Sequence, residues 1–292
     1  MHRRDLASLT ALSLFALTVG VGCPEDPPAG GTTGGAMATK PSGKPAVTAK
    51  PTATAKPTAT AAANDGPTGK GVIKGAVSFS GKAPEMKVPA KRKDAEFCKG
   101  KEVKYNAVVV NGGKLQDVFV RIERGGVKGK FAAQKPAVID QVDCMYTPRV
   151  QGALEEQDIE IKNSDGTLHN VHTYKGNDSW FNQAQPKGEA PIKKSLDSEA
   201  VVKFTCDVHP WMRGFVVMMD HPYFSVSGAD GTFTLEKIPA GKYKIEAWHS
   251  QYGMKSKADV EVTDDKPAEV NFEYDGKEAE PDTNKDELKG LF

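Results

Sequence analysis

Four cysteines, three tryptophans and almost no net charge are what this 292-residue chain offers, with 39 basic residues against 38 acidic ones. So few cysteines cannot make a disulfide-dense scaffold, so a packed core must carry the fold. The charge balance excludes a protein whose main partner is bulk nucleic acid, which calls for a basic surplus. Helical periodicity is also missing. No stretch sustains an apolar stripe at a spacing of 3.6, which disfavours a doubly wound α/β fold. Aromatic residues are absent altogether from residues 24–71. Each cysteine therefore needs its own explanation, and part of the chain needs none as core.

The first cysteine belongs to an export signal. Arg3 and Arg4 precede an apolar run over residues 6–21 that ends in small residues. That run is shorter than the ~20 residues of a membrane helix, and its layout is that of a cleaved signal peptide. Gly20-Val21-Gly22-Cys23 resembles the site at which a bacterial lipoprotein is cut and its cysteine lipidated, with Gly20 where leucine is usual. The expectation is a signal over residues 1–22 and a lipid on Cys23 that anchors without spanning. Ordinary secretion with Cys23 left free is the alternative. Cleavage removes two arginines and one aspartate, so the mature chain has no net charge.

Residues 23–71 read as a disordered tether. TAKPTATAKPTATA occupies residues 48–61, with lysines six apart at Lys44, Lys50 and Lys56. Such a composition cannot offset the entropy of ordering. At the other end, residues 275–292 are charged and carry no strand pattern, and read as a tail. Residues 72–274 remain for the core.

That core reads as strands. Val108-Val109-Val110, the segment from Asp117 to Ile122, Asp158-Ile159-Glu160-Ile161 and Phe215-Val216-Val217-Met218-Met219 are short runs between breakers. Thr232-Phe233-Thr234-Leu235 and Lys242-Tyr243-Lys244-Ile245 alternate plainly. Short period-2 runs separated by Gly, Pro and Asp imply β-sandwiches.

The sharpest chemistry lies in Cys206-Asp207-Val208-His209-Pro210-Trp211-Met212. A thiolate, an imidazole three residues on and a thioether three beyond that share one tight loop after a β-run. Upstream stands His169 in Leu168-His169-Asn170-Val171-His172. Two imidazoles and a thiolate with a weak axial methionine suit a copper ion that changes oxidation state in one rigid geometry. Structural zinc would need a second Cys/His pair, and none stands near. His172 falls three past His169, so on an extended strand it points away from the first imidazole.

These two segments resemble the ligand loops of the cupredoxin, or type 1 blue copper, family, with a loop of the amicyanin kind. The likeness spans roughly residues 138–219. It implies one mononuclear type 1 copper site held by His169, Cys206, His209 and Met212. It further implies that Asn170 ties the two ligand loops together, and that His209 lies at a solvent edge where Pro210 and Trp211 form part of a docking patch for redox partners. The flanks resemble a carboxypeptidase-regulatory-like β-sandwich, its front half near Gly71-Val72-Ile73 and its back half over residues 228–248. The expected fold is thus all-β: a cupredoxin-like Greek-key sandwich over residues 131–222, packed with a second small sandwich built from 72–130 and 223–274. On this reading the first is inserted into the second; one elaborated cupredoxin or a truncated C-terminal sandwich are the rivals. Cys98 and Cys144 are left over, and an exported protein is expected to pair them.

The functional expectation is an electron carrier, not an enzyme, tethered in the periplasm or cell envelope and exchanging single electrons with a protein such as a cytochrome or dehydrogenase. A copper carrier or sensor with the same ligands, and an accessory part of a larger redox complex, are the alternatives. Intact-mass analysis of the membrane fraction tests the first step: the chain should begin at Cys23 and carry acyl mass, whereas an unmodified N-terminus in the soluble fraction points to secretion.

Overall fold

A computed structural model describes residues 66–86, 95–99, 101, 103–132, 134–198 and 200–278. The signal segment, Cys23, the tether up to residue 65 and the tail beyond residue 278 lie outside the described residues. The strands before the candidate metal segments are β1 (Gly71–Phe79), β2 (Val110–Asn111), β3 (Lys114–Leu115) and β4 (Phe119–Ile122), with a short helix, α1 (Ala95–Lys99), between β1 and β2. Nine follow: β5 (Ala137–Val142), β6 (Met145–Thr147), β7 (Val150–Leu154), β8 (Ile159–Asn163), β9 (His169–Lys175), β10 (Asp178–Gln185), β11 (Ile192–Lys194), β12 (Val201–Thr205) and β13 (Arg213–Met219). The remainder are β14 (Phe224–Val226), β15 (Thr232–Ile238), β16 (Gly241–His249), β17 (Gly253–Val262), β18 (Ala268–Glu269) and β19 (Phe272–Tyr274). The chain is all-β, as its short alternating runs imply.

Strands β5–β13 build two sheets among themselves, ordered β10-β9-β12-β13-β7 and β11-β8-β5-β6. The flanks pair with each other across this block. β1 runs antiparallel to β15 and parallel to β18 and β19. β4 lies between β14 and β16, and β17 extends that sheet. Residues 66–71, at the expected end of the tether, are among those described. Gly71 already belongs to β1, and the Gly69 amide donates to the Lys237 carbonyl at 2.9 Å.

Three apolar clusters hold these sheets. One fills the flank-built sandwich around Ile73, Val77, Val120, Ile245 and Phe272. A second fills the β5–β13 sandwich around Ile139, Tyr146, Ile161, Phe204 and Met218. The third joins them, with Phe119 and Trp248 from the flanks meeting Val150, Phe215, Val217 and Met219. Strand β13 shows why its sequence is apolar at every position after Gly214. Side chains alternate across a strand, so Val216 and Met218 enter the second cluster while Phe215, Val217 and Met219 enter the third. Both faces are buried, and alternation disappears from the sequence.

The same junction contains a buried ion pair. Arg121 Nε and Nη2 meet Glu246 Oε2 at 3.0 and 2.9 Å, and Lys244 reaches the other oxygen at 3.1 Å. Such a pair is retained because loss of either partner leaves a buried charge unmatched, at a cost of about 3–5 kcal/mol.

Close approach of backbones requires glycine at Gly75, where an added Cβ would lie 1.6 Å from the Val270 carbonyl oxygen. Gly176 is a contrast: its φ is +59°, but a Cβ there meets nothing within 4 Å. Thermal and urea melts should show Gly75→Ala destabilised by more than about 2 kcal/mol, and Gly176→Ala by only about 1 kcal/mol, the left-handed conformational cost. Equal losses would mean that β1 does not lie against the Val270 backbone.

Candidate metal centre

Strand pairing assembles the site. β9 and β12 run antiparallel with His172 opposite Thr205, so Cys206, one residue past the end of β12, arrives beside the beginning of β9. His209, Pro210, Trp211 and Met212 follow in the turn before β13, which the Met212 amide closes by donating to the His209 carbonyl at 2.9 Å. His169 is the first residue of β9.

Three donor atoms converge there. His169 Nδ1 and His209 Nδ1 are 2.8 Å apart. Cys206 Sγ lies 4.0 Å from the first and 3.6 Å from the second. All three residues are buried, with His169 and His209 wholly inaccessible. Met212 is also fully buried, in the same apolar cluster as Cys206. His172 does not join them: its Nδ1 pairs with Asp207 Oδ1 at 2.9 Å and its Nε2 with Ser179 Oγ at 3.0 Å.

Asn170 links the two ligand-bearing segments. Its Oδ1 accepts from the Asp207 amide at 2.6 Å and from the Cys206 thiol at 3.4 Å, while its own amide donates to Cys206 Sγ at 3.5 Å. Its Nδ2 donates to Asn182 Oδ1 and Asp207 Oδ2. Asp207 collects these bonds on a carboxylate that burial disfavours, but hydrogen bonds from His172 and Asn182 outweigh burial and hold its pKa below the usual value.

Sequence reasoning missed Asp165. Its Oδ2 accepts from His169 Nε2 at 2.8 Å and from the Cys144 amide at 2.8 Å, and its Oδ1 from the Asp143 amide at 2.7 Å. A proton held on Nε2 leaves the lone pair of a neutral His169 on Nδ1, the atom that faces Cys206 and His209. Burial works against the Asp165 carboxylate and against a charged His169. The bonds win in both cases: Asp165 is held below its ordinary range, and His169 is raised to about 8 by Asp165 and the Cys206 sulfur. Burial likewise opposes ionisation of Cys206, yet hydrogen bonding from His169, His209 and the Asn170 amide brings it down to about 6. This environment therefore favours a thiolate facing imidazole nitrogens. The only advance signal for Asp165 was its position in the Asn163-Ser164-Asp165-Gly166 turn, four residues before His169.

The solvent edge expected at His209 is not there. Cys98 and Cys144 form a disulfide, and Cys98 Sγ sits 3.7 Å from His209 Nε2. Helix α1 carries Cys98 to this place. Cys144 belongs to the two-residue turn between β5 and β6, where Asp143 and Cys144 both adopt positive φ, 53° and 60°. Trp211 is likewise not on the docking surface the sequence suggested: it is 2% exposed, its Nε1 donates to the Cys144 carbonyl at 3.0 Å, and its ring lies 5.1 Å from that of His209. Both corrections have one physical cause, the disulfide-bonded cover laid over the ligand loop. Pro210 stays exposed. Beside it an open depression of about 450 Å³ reaches Cys206 and is lined by Tyr174, Lys203, Thr205 and Arg213. Cys144, Asp165 and His169 also lie together, but the Cys144 sulfur is in the disulfide and the other two are hydrogen-bonded to each other.

No protein-family model matches the chain, and neither does any curated protein. Among solved structures it is similar to a purple cupredoxin from Nitrosopumilus maritimus, at 21% identity over 28% of this chain and 98% of that one, with a TM-score of 0.26. A methionine-to-alanine mutant of amicyanin in its Cu(I) form is 22% identical over 30% of this chain and 84% of its own, with a TM-score of 0.26. A copper-containing nitrite reductase from Thermus scotoductus is 18% identical over 32% of this chain and a quarter of its own length, with a TM-score of 0.28. Each likeness is partial and distant.

Removing the Asp165 carboxylate should release both turn amides and the His169 ring. Denaturation of the metal-free Asp165→Ala chain should show a loss of about 2–4 kcal/mol, the scale of several buried donors left without an acceptor. A loss within about 0.5 kcal/mol, typical of a plain surface change, would mean Asp165 does not hold the turn.

Proposed function

We propose that this chain is a cupredoxin-like protein with one mononuclear type 1 copper site that passes single electrons between redox proteins of the bacterial envelope. The observation that carries the reading is the convergence of His169 Nδ1, His209 Nδ1 and Cys206 Sγ in a buried cluster. The donors suit copper: two imidazoles accept Cu(II), thiolate and thioether favour Cu(I), and a rigid set serves both. When bound, copper would supply the one-electron couple; His169, Cys206 and His209 would hold it, with Met212 as the weak fourth ligand.

The protein's own part is to keep that geometry fixed. Asn170 pins the Cys206 loop to β9, and Asp165 fixes the orientation of the His169 ring. The buried aromatic wall of Trp211 and the disulfide exclude water. Little has to move when the charge changes, which suits electron transfer better than binding and release. That burial favours the shuttle over a copper carrier, which must open to hand its ion on. The covered His209 edge moves partner contact to the exposed face of Pro210 and Arg213, beside the depression that reaches Cys206. The tether and lipid on Cys23 would keep this face near membrane-bound partners such as a cytochrome or dehydrogenase.

Loading the full-length chain with Cu(II) and recording visible and EPR spectra tests the assignment. An intense thiolate-to-copper band with narrow hyperfine splitting is expected. Cys206→Ser should abolish the band, and His172→Ala should preserve it. Loss of the band in both would mean the wrong ligands were chosen. Reversible reduction with slow release to a chelator supports the shuttle; rapid release supports the carrier.

A further inference from the structure

A second cluster of unusual side chains lies behind Trp211, away from the three converging donors. Arg149 precedes β7 and is 6% exposed. Its Nη2 donates to Ser250 Oγ at 3.0 Å, and its guanidinium lies over the Phe215 ring at 5.3 Å. The Nε and Nη1 groups are buried and have no hydrogen-bond partner among the described residues. A buried guanidinium with two of its three nitrogens unmatched is expensive, because its donors have left water without compensation.

The space beside it is large enough to supply that compensation. Arg149 lines a cavity of about 130 Å³ together with Arg213, Ser250, Trp211, Phe215 and Asn106. Two guanidinium groups thus share one small cavity. Asp117 is the acidic group whose field reaches Arg149, but it hydrogen-bonds Gln116 and makes no hydrogen bond to the guanidinium. Burial, with the repulsion of Arg213, lowers the pKa of Arg149 to about 10, so it is still charged at neutral pH. His249, next to Ser250, is buried and kept neutral by desolvation and by Arg149, so it adds no competing charge. The volume suits a few heavy atoms, not an organic cofactor, and it is many times what one water needs.

We propose that this cavity is a binding site for a small oxyanion of the phosphate, sulfate or carboxylate type. The anion's oxygens would accept from the unmatched Arg149 nitrogens and from Arg213, with the Ser250 hydroxyl at the rim. Charge-assisted hydrogen bonds of this kind are shorter and stronger than neutral ones, and arginine is the side chain best matched to oxyanions. The Trp211 indole forms a wall of the same cavity and so reports on it.

The test uses the full-length, metal-free chain and inorganic phosphate as the probe, with sodium chloride at matched ionic strength as the reference. Phosphate should raise the melting temperature saturably and change tryptophan fluorescence, and Trp211→Phe should lose the fluorescence change while keeping the thermal shift. Arg213→Gln alters an exposed residue and leaves the core intact; it should weaken the apparent Kd by about tenfold or more, the scale of one lost charge-assisted bond. Acetate in competition separates a carboxylate preference from a tetrahedral one. The proposal is overturned if phosphate acts no differently from chloride, or if Arg213→Gln responds as fully as the parent chain. None of these readouts depends on copper, so failure here leaves the electron-carrier reading standing.

Discussion

Where His172 of β9 faces Thr205 of β12, two strands are locked in register, and the meeting of His169 with Cys206 in the candidate metal centre follows from that lock. A slip of one residue would turn each side chain to the opposite face. His169 would leave the cluster and Cys206 would face a different neighbour. Tyr146 reinforces the register from the facing sheet, since its hydroxyl donates to the Thr205 carbonyl at 2.9 Å. Asn170 then works at short range, reading the position of the Cys206 loop through five separate hydrogen bonds. The site is therefore a property of sheet registry first and of loop sequence second.

Much of this was legible in the sequence. The strands announced themselves by short apolar runs, and β13 did so by an uninterrupted one, because it is buried on both faces. The spacing of Cys206, His209 and Met212 pointed to one loop, and the two remaining cysteines pointed to each other. What stayed hidden depends on contacts between remote segments. Helix α1 is five residues long, too short to show a period. Asp165 looked like any turn residue until its partners at positions 143, 144 and 169 were in place. Arg149 gave no signal at all, since nothing local distinguishes a buried arginine from a solvated one.

The cover over the ligand loop is the main departure from the expected arrangement. Its parts hold one another: the Asp143-Cys144 turn is gripped by Asp165 from one side and by Trp211 from the other, Lys101 meets Asp143 at 2.6 Å, and Cys98 carries α1 over His209. Trp211, beside His209, is used here as interior packing. Asp207, Pro210 and Arg213 are what stays exposed beside the buried cluster.

The pairing of the two flanks has a consequence for how the molecule comes into being. β1 meets β3 close by in sequence, at Ser78 and Lys114, but its partners β15, β18 and β19 lie roughly 160 to 200 positions later. The nine strands β5–β13, which hold the candidate metal centre, are complete before then, and their contacts close shorter loops at lower entropic cost. Loop-closure entropy therefore favours assembly from the middle outward, with the long-range pairings of the outer sandwich closing late. During that interval β1 has only its short pairing with β3 to cover it, and the rest of its edge is covered once β15, β18 and β19 arrive.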